Sequence, residues 1–216
     1  MHETLAPAPS ASLRSIKSAP PPRQRLAPEV RVQQILDAAL VEFAERGFTA
    51  ARMDDIAARC DLSKGGLYTH FESKDSIFEA LLTRSLAPPQ WNESPPPPLR
   101  EGTRAFAQWV VQGLHAALLQ PASVATLRLL VAESARVPHL AAAWERTVVQ
   151  PCLAQLGELL LTRSGGRLAG SIIVREPWLM VAPVAHALLS QVVLGRDPAQ
   201  YVDAHVELLC TLIGPG

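Results

Sequence analysis

The stretch from Ile56 to Phe71, Ile-Ala-Ala-Arg-Cys-Asp-Leu-Ser-Lys-Gly-Gly-Leu-Tyr-Thr-His-Phe, constrains this chain more than any other. Ile56 and Ala57 face inward on one short helix, Met53–Cys60, and Asp61-Leu62 forms a turn. Ser63 is placed to cap a second helix, Lys64–Phe71. Leu67 and Phe71 fall on one side of that helix, and Lys64, Tyr68 and Thr69 on the opposite side. Two short helices joined by such a tight turn form a helix-turn-helix unit. The unit is too small to bury its own apolar face, so more helices must pack on it.

The neighbouring sequence supplies them. Val32, Ile35, Leu36, Ala39, Leu40 and Phe43 recur at helical spacing and predict a helix over Pro28–Arg46, with Gly47 as its stop. Ser73 should cap a further helix, Lys74 to about Ser85, with Ile77, Phe78, Leu81 and Leu82 on its apolar face. Pro88-Pro89 and the run Pro95–Pro98 then break the chain and read as a stiff connector. Five longer helical stretches follow: Leu99–Gln120, Ser123–Ala135, His139–Ser164, Glu176–Leu194 and Ala199–Ile213. Ser171–Val174 is the one β-branched run and is too short to alter the class. The expectation is an all-α fold of about nine helices. Residues 1–27 would be a disordered arm, 28–86 a helix-turn-helix domain and 99–216 a larger helical domain.

Composition adds limits. The 216 residues hold 20 Lys+Arg and 20 Asp+Glu, and the stretch 1–84 is itself balanced at 11 basic and 11 acidic. Any nucleic-acid footprint is therefore local rather than global. The arm carries Arg14, Lys17, Arg23 and Arg25 against Glu3 alone; an idle tail or a phosphate-touching segment both fit. Cys60, Cys152 and Cys210 lack zinc or redox spacing and read as packing residues of a reducing cytoplasm. The apolar stretch Pro177–Gly195 is interrupted by Pro183, His186, Ser190 and Gln191, which suits a buried helix better than a membrane span. No nucleophile elbow, phosphate loop, metal-ligand spacing or close carboxylate pair is present, so neither an enzyme nor a cofactor is expected.

Residues 30–82 closely resemble the N-terminal DNA-binding domain of the tetracycline-repressor (TetR) family. The resemblance is carried by Ile35-Leu36-Asp37-Ala38-Ala39, Phe43, Gly47, Met53-Asp54-Asp55-Ile56-Ala57, Leu62-Ser63-Lys64-Gly65, Leu67-Tyr68, His70-Phe71 and Lys74. It covers about a quarter of the chain; beyond it the likeness is only that of another all-helical body. The resemblance implies a homodimer that binds a palindromic double-stranded operator and is released by a small-molecule inducer, most simply as a repressor. It also implies DNA contacts from Lys64, Gly65, Tyr68, Thr69 and His70, with Ser63 capping the helix and Lys74 on a phosphate. Two positions depart from the family pattern. Arg52 stands where Ser or Thr is usual, so the cap of the first helix is lost or moved to Thr49. Gly66 replaces Thr, Ser or Ala, which leaves the bases read open.

The same residues can be read without the family. Adjacent Gly65 and Gly66 cost a helix start roughly 1 kcal/mol each relative to alanine. That suits a backbone that something approaches closely, or simply an extended turn. Lys64, Lys74 and Arg52 can neutralise phosphates, whereas Tyr68, Thr69 and His70 can donate to base edges or phosphate oxygens. Phe106, Trp109, His115, Trp144, Trp178, Met180 and His186 suit a largely apolar or aromatic ligand pocket, though each could equally be core. Leu188, Leu189, Val192, Val193, Val202, Val206 and Leu209 make the last two long helices apolar nearly all round, as a subunit interface would require. The competing reading is a helical scaffold whose helix-turn-helix contacts protein, and the neutral net charge favours it.

Overall fold

The computed structural model describes residues 27–89, 91, 97, 99 and 102–214. The N-terminal arm and most of the proline connector lie outside the described residues. Among the described residues the chain is all-α, with no strand.

Helix α1 spans Pro28–Ala50 and buries Ile35, Leu36, Ala39 and Phe43. Pro28 at its start suits the fixed φ of proline. Gly47 interrupts the helix with φ 75° and ψ 159°, a backbone that favours glycine, and one more turn follows. That break turns Phe48 inward. Its ring meets those of Phe43 and Phe78 at centroid distances of 5.3 and 5.1 Å. Helix α2 (Met53–Arg59) starts without a side-chain cap at Arg52, so the cap is lost there; Thr49 does not replace it. Helix α3 (Lys64–Tyr68) is shorter than the sequence suggests. Thr69 ends it by donating its hydroxyl to the Gly66 carbonyl at 2.7 Å. Ser73 and Ser76 then cap each other's backbone N–H, at 3.2 and 3.0 Å, and open α4 (Lys74–Ser85).

Beyond the connector come α5 (Thr103–Leu118), α6 (Pro121–Glu133) and α7 (Pro138–Trp144). A π turn, Glu145–Val149, joins α7 to α8 (Gln150–Arg163). Pro151 follows that turn; its ring crowds the carbonyl four residues back and it donates no hydrogen bond, so a widened turn relieves it. The β-branched run folds as a single helical turn, α9 (Ile172–Arg175). Helix α10 (Trp178–Leu194) contains Pro183, and a 3₁₀ turn, Pro198–Tyr201, leads into α11 (Val202–Ile213).

These helices bury two apolar cores. The first gathers Ile35, Phe43, Ile56, Leu67, Phe78 and Leu81 of α1–α4. It also takes Leu129 and Leu130 of α6, and Val137 and Leu140 at the start of α7. The second holds Phe106, Val110, Leu156, Leu160, Met180, Val206 and Leu209, from α5, α8, α10 and α11. Helices α6 and α7 thus clamp the helix-turn-helix unit from across the connector. Glu133, almost fully buried at the end of α6, reinforces that clamp. Its carboxylate accepts the Phe48 N–H at 3.3 Å and pairs with Arg136 at 3.3 Å.

Candidate nucleic-acid interface and ligand cavity

Helix α3 sits on the first core through Leu67, which is 0% exposed, while Tyr68 beside it is 45% exposed. Ser63 accepts the Gly66 N–H at 3.1 Å and so caps the helix. The two glycines differ in role. A Cβ at Gly66 would press to 3.3 Å from the Ser63 hydroxyl, so the cap itself asks for a small residue. A Cβ at Gly65 would meet nothing within 4 Å, so nothing inside the protein demands glycine there. Tyr68 and Thr69 are exposed and His70 is half-buried, next to one another at the end of α3. Arg52 is exposed, and no hydrogen bond or ion pair joins its side chain to another described residue.

The two lysines are less free than their sequence positions suggest. Lys64 pairs with Asp54 of α2 at 3.1 Å, with both side chains more than half exposed, a weak pair that solvent screens. Lys74 donates to the Thr49 and Ala51 carbonyls at 3.0 Å each and lies 4.7 Å from the centre of the Phe48 ring. Partial burial pushes its ammonium below the ordinary lysine range, against the pull of Asp75 and Glu133. Lys74 therefore ties down the tail of α1, and one N–H of the ammonium is left for an outside acceptor. Behind this surface, buried Glu42 pairs with Arg46 at 3.0 Å and with Arg59 at 2.6 Å, locking α1 to α2. Nothing in the sequence spacing marks Glu42; its role follows only from what packs over it.

A second site lies between the two cores. A cavity of about 290 Å³ is lined by apolar side chains from six segments of the chain. They are Leu86 and Pro88 after α4, Leu114 and Leu118 of α5, Leu127 of α6, Trp144, Val148 and Val149 around the π turn, Cys152 and Leu153 of α8, and Val181, Val184, Ala185, Leu188 and Leu189 of α10. π turns interrupting α-helices are frequent at functional sites. Leu86, Leu127 and Trp144 line the cavity and also pack on the first core.

Of the aromatic and polar residues expected at a ligand pocket, Trp144 alone borders this cavity. Phe106 and Met180 lie inside the second core. Trp109 packs on Trp91 at 4.7 Å. Trp178 is exposed and donates to Glu176 at 3.1 Å. His115 and His186 flank buried His205, with ring nitrogens 3.2 and 3.4 Å apart. Burial, with help from its two neighbours, pushes His205 down to about 4. Residue type alone pointed to rings; the cavity is built mostly of Leu and Val, which any core also uses.

The apolar residues of α10 and α11 also divide. Val206 and Leu209 are buried within the protomer, so they belong to its own core and not to an outer face. Leu188 is buried at the cavity wall, and Val192 and Val202 are half-buried. Leu189, Val193, Leu194 and Leu208 are exposed and form the outward apolar surface. The three cysteines are free, and burial raises each thiol above its ordinary range. Among the described residues no cluster could hold a metal ion, and no single helix is long and apolar enough to cross a membrane.

A short helix-turn-helix seated on a larger helical body defines a helix-turn-helix regulator. Residues 35–81 match the family model described as "Bacterial regulatory proteins, tetR family". The match identifies this N-terminal segment as the helix-turn-helix domain found in transcriptional regulators of that family. The chain is 47% identical over 60 residues to the HTH-type transcriptional activator FasR of Mycolicibacterium smegmatis, over 28% of this chain and 27% of that protein. It is 44% identical over 46 residues to IcaR of Staphylococcus aureus, the HTH-type negative transcriptional regulator of the biofilm operon icaADBC, over 21% of this chain and 25% of that one. Each match thus spans about a quarter of the curated relative. The fold extends further. The transcriptional regulator FadR of Bacillus subtilis, crystallised with stearoyl-CoA, superposes with a TM-score of 0.60 at 17% identity, over 82% of this chain and 96% of that one.

Proposed function

We propose that the chain is a ligand-responsive repressor. It binds a palindromic operator as a homodimer through α3 and is released when a small apolar effector fills the cavity. The observation that carries the reading is the two-sidedness of α3. Leu67 anchors it with no exposure, while Gly65, Tyr68 and Thr69 are exposed on its other side and no protein atom lies where a Gly65 side chain would be. Tyr68, Thr69 and His70 would touch bases or phosphates, and Arg52, Lys64 and Lys74 phosphates. The negative sign follows IcaR; FasR, an activator, carries a similar domain, so the sign belongs to the operator's place and not to the helix.

Release has a physical route. Leu86, Leu127 and Trp144 are shared by the cavity wall and the first core. An occupant that favours one packing of these three also favours one setting of α1–α4, and operator and effector must weaken each other reciprocally. FadR in complex with stearoyl-CoA supports an effector with an apolar chain. The outward residues Leu189, Val193, Leu194 and Leu208 would form the dimer surface, in place of Val206 and Leu209.

A second reading, in which α3 docks a protein, is favoured by the engagement of Lys64 and Lys74 within the chain and by the balanced charge. An operator shift assay at two salt concentrations separates the two. Operator binding should fall steeply with salt. Tyr68→Phe should cost about 1–2 kcal/mol of it if the hydroxyl bonds a phosphate. Thr69→Ala should relax preference at one base position in each half-site. Wild-type binding by both variants would remove α3 from the interface.

A further inference from the structure

The reading of the cavity as the effector site says nothing about the charge of the effector; the walls beside it do. A polar cleft adjoins the cavity and shares Pro88, Val148 and Cys152 with it. On its far side stand Thr83 of α4, Thr147 of the π turn, and Gln155 and Glu158 of α8. Resting on that reading, we infer that the effector is an amphiphile whose polar end carries no negative charge: its apolar body fills the cavity and its neutral or cationic end lies in the cleft.

Three observations carry this. The cavity wall offers no charged side chain, so an ionised carboxylate or phosphate cannot follow the apolar body inward without losing its hydration unpaired. The cleft offers hydroxyls and an amide but no basic side chain among its described lining residues, and its one charged group is the carboxylate of Glu158. The partial negative charge of a helix C-terminus adds to this, because α4 ends at Ser85 beside Thr83 and Ala87 of the cleft. Arg84, the basic residue of that last turn, is committed to Asp37 at 2.8 Å and to Gln33 on α1. Arg146, on the π turn, lines neither space. At roughly 30 Å³ for each water-sized group, the cavity takes about ten non-hydrogen atoms.

Four probes with the same ten-carbon chain test the inference by calorimetry on the full-length protein: decanol, decyltrimethylammonium, decanoate and decanoyl-CoA. Decanol and the ammonium compound should each bind at least tenfold more tightly than the two anions. Leu153→Trp should abolish decanol binding by filling the cavity, and Leu118→Trp does the same from the opposite wall if the first variant does not fold. Glu158→Lys should bring decanoate several-fold closer to decanol and weaken the ammonium compound. Anions that bind as tightly as decanol overturn the inference, and so does a selectivity that Glu158→Lys leaves unmoved or an absence of binding by all four. Operator release is scored separately. Anions that bind in the cavity and release DNA sink the charge selection and keep the effector reading. Neutral binding that leaves operator affinity unchanged does the reverse.

Discussion

The two cores of this molecule solve different problems with similar residues. The first is packed shut: three phenylalanine rings meet at its centre, and a buried carboxylate with two arginines ties α1 to α2. The second stops short of closing, and a cavity of about 290 Å³ remains where it meets the first. Under the proposed function, an element that must match the fixed spacing of a DNA groove gains from rigidity. A body that admits a ligand must leave apolar surface uncovered, and forgoes the contacts that would have filled it. Helices α6 and α7, although they follow the connector, pack into the first core. For this reason the boundary that the proline connector suggests in the sequence does not coincide with the boundary between the cores.

The contrast can be tested in order of expected effect. Val206 is 2% exposed and Val193 is 71% exposed, although the sequence gives them the same character. Val206→Arg should bury an unpaired charge, cost about 3–5 kcal/mol and yield unfolded or insoluble protein. Val193→Arg should leave thermal unfolding unchanged and convert dimer to monomer in analytical ultracentrifugation. A folded Val206→Arg dimer would move the assignment of these residues back to a subunit surface. Next, Phe78→Ala in the closed core should cost about 3–5 kcal/mol by denaturant unfolding.

The clamp between the cores comes third. Glu133→Ala strands the buried Phe48 N–H and should cost about 1–3 kcal/mol. Glu133→Gln keeps an acceptor and should lie near wild type; equal losses in both would assign the effect to the Arg136 pair instead. A pH dependence comes fourth. His205 titrates near 4 in the fold and near its ordinary 6.5 when unfolded. The unfolded chain therefore binds more protons between those values, and stability should fall as pH drops from about 6.5 toward 4. The histidines on either side, with Tyr201 stacked over His205, complete that cluster. His205→Asn should flatten the slope in unfolding curves taken across this range. The smallest effect is expected from enlargement. Leu153→Phe, beside the cavity, should change stability by under about 1.5 kcal/mol, whereas Leu81→Phe in the closed core should cost about 1–3 kcal/mol. Equal costs would mean that the cavity wall is as rigid as the closed core.

Much of this was legible in the sequence because it depends on local rules. Helical spacing, the Ser63 and Ser73 caps and the Gly47 break act through residues a few positions apart, and they locate the starts of α1–α4, although α1 runs on to Ala50 and α3 stops at Tyr68 instead of Phe71. The inward Leu67 and outward Tyr68 follow from the same periodicity. What lay beyond reach depended on contacts between distant segments. Lys74 became a tie for the α1 tail because the Gly47 break brings the Thr49 and Ala51 carbonyls to it. Glu133 became a clamp because α6 crosses back onto Phe48, 85 positions away in the chain. Leucine and valine look alike in a sequence whether they fill a core, line a cavity or face a partner. Only the tertiary packing separated Val206 from Val193, and Trp144 at the cavity from Phe106 in the core, because burial is decided by what arrives from elsewhere in the chain.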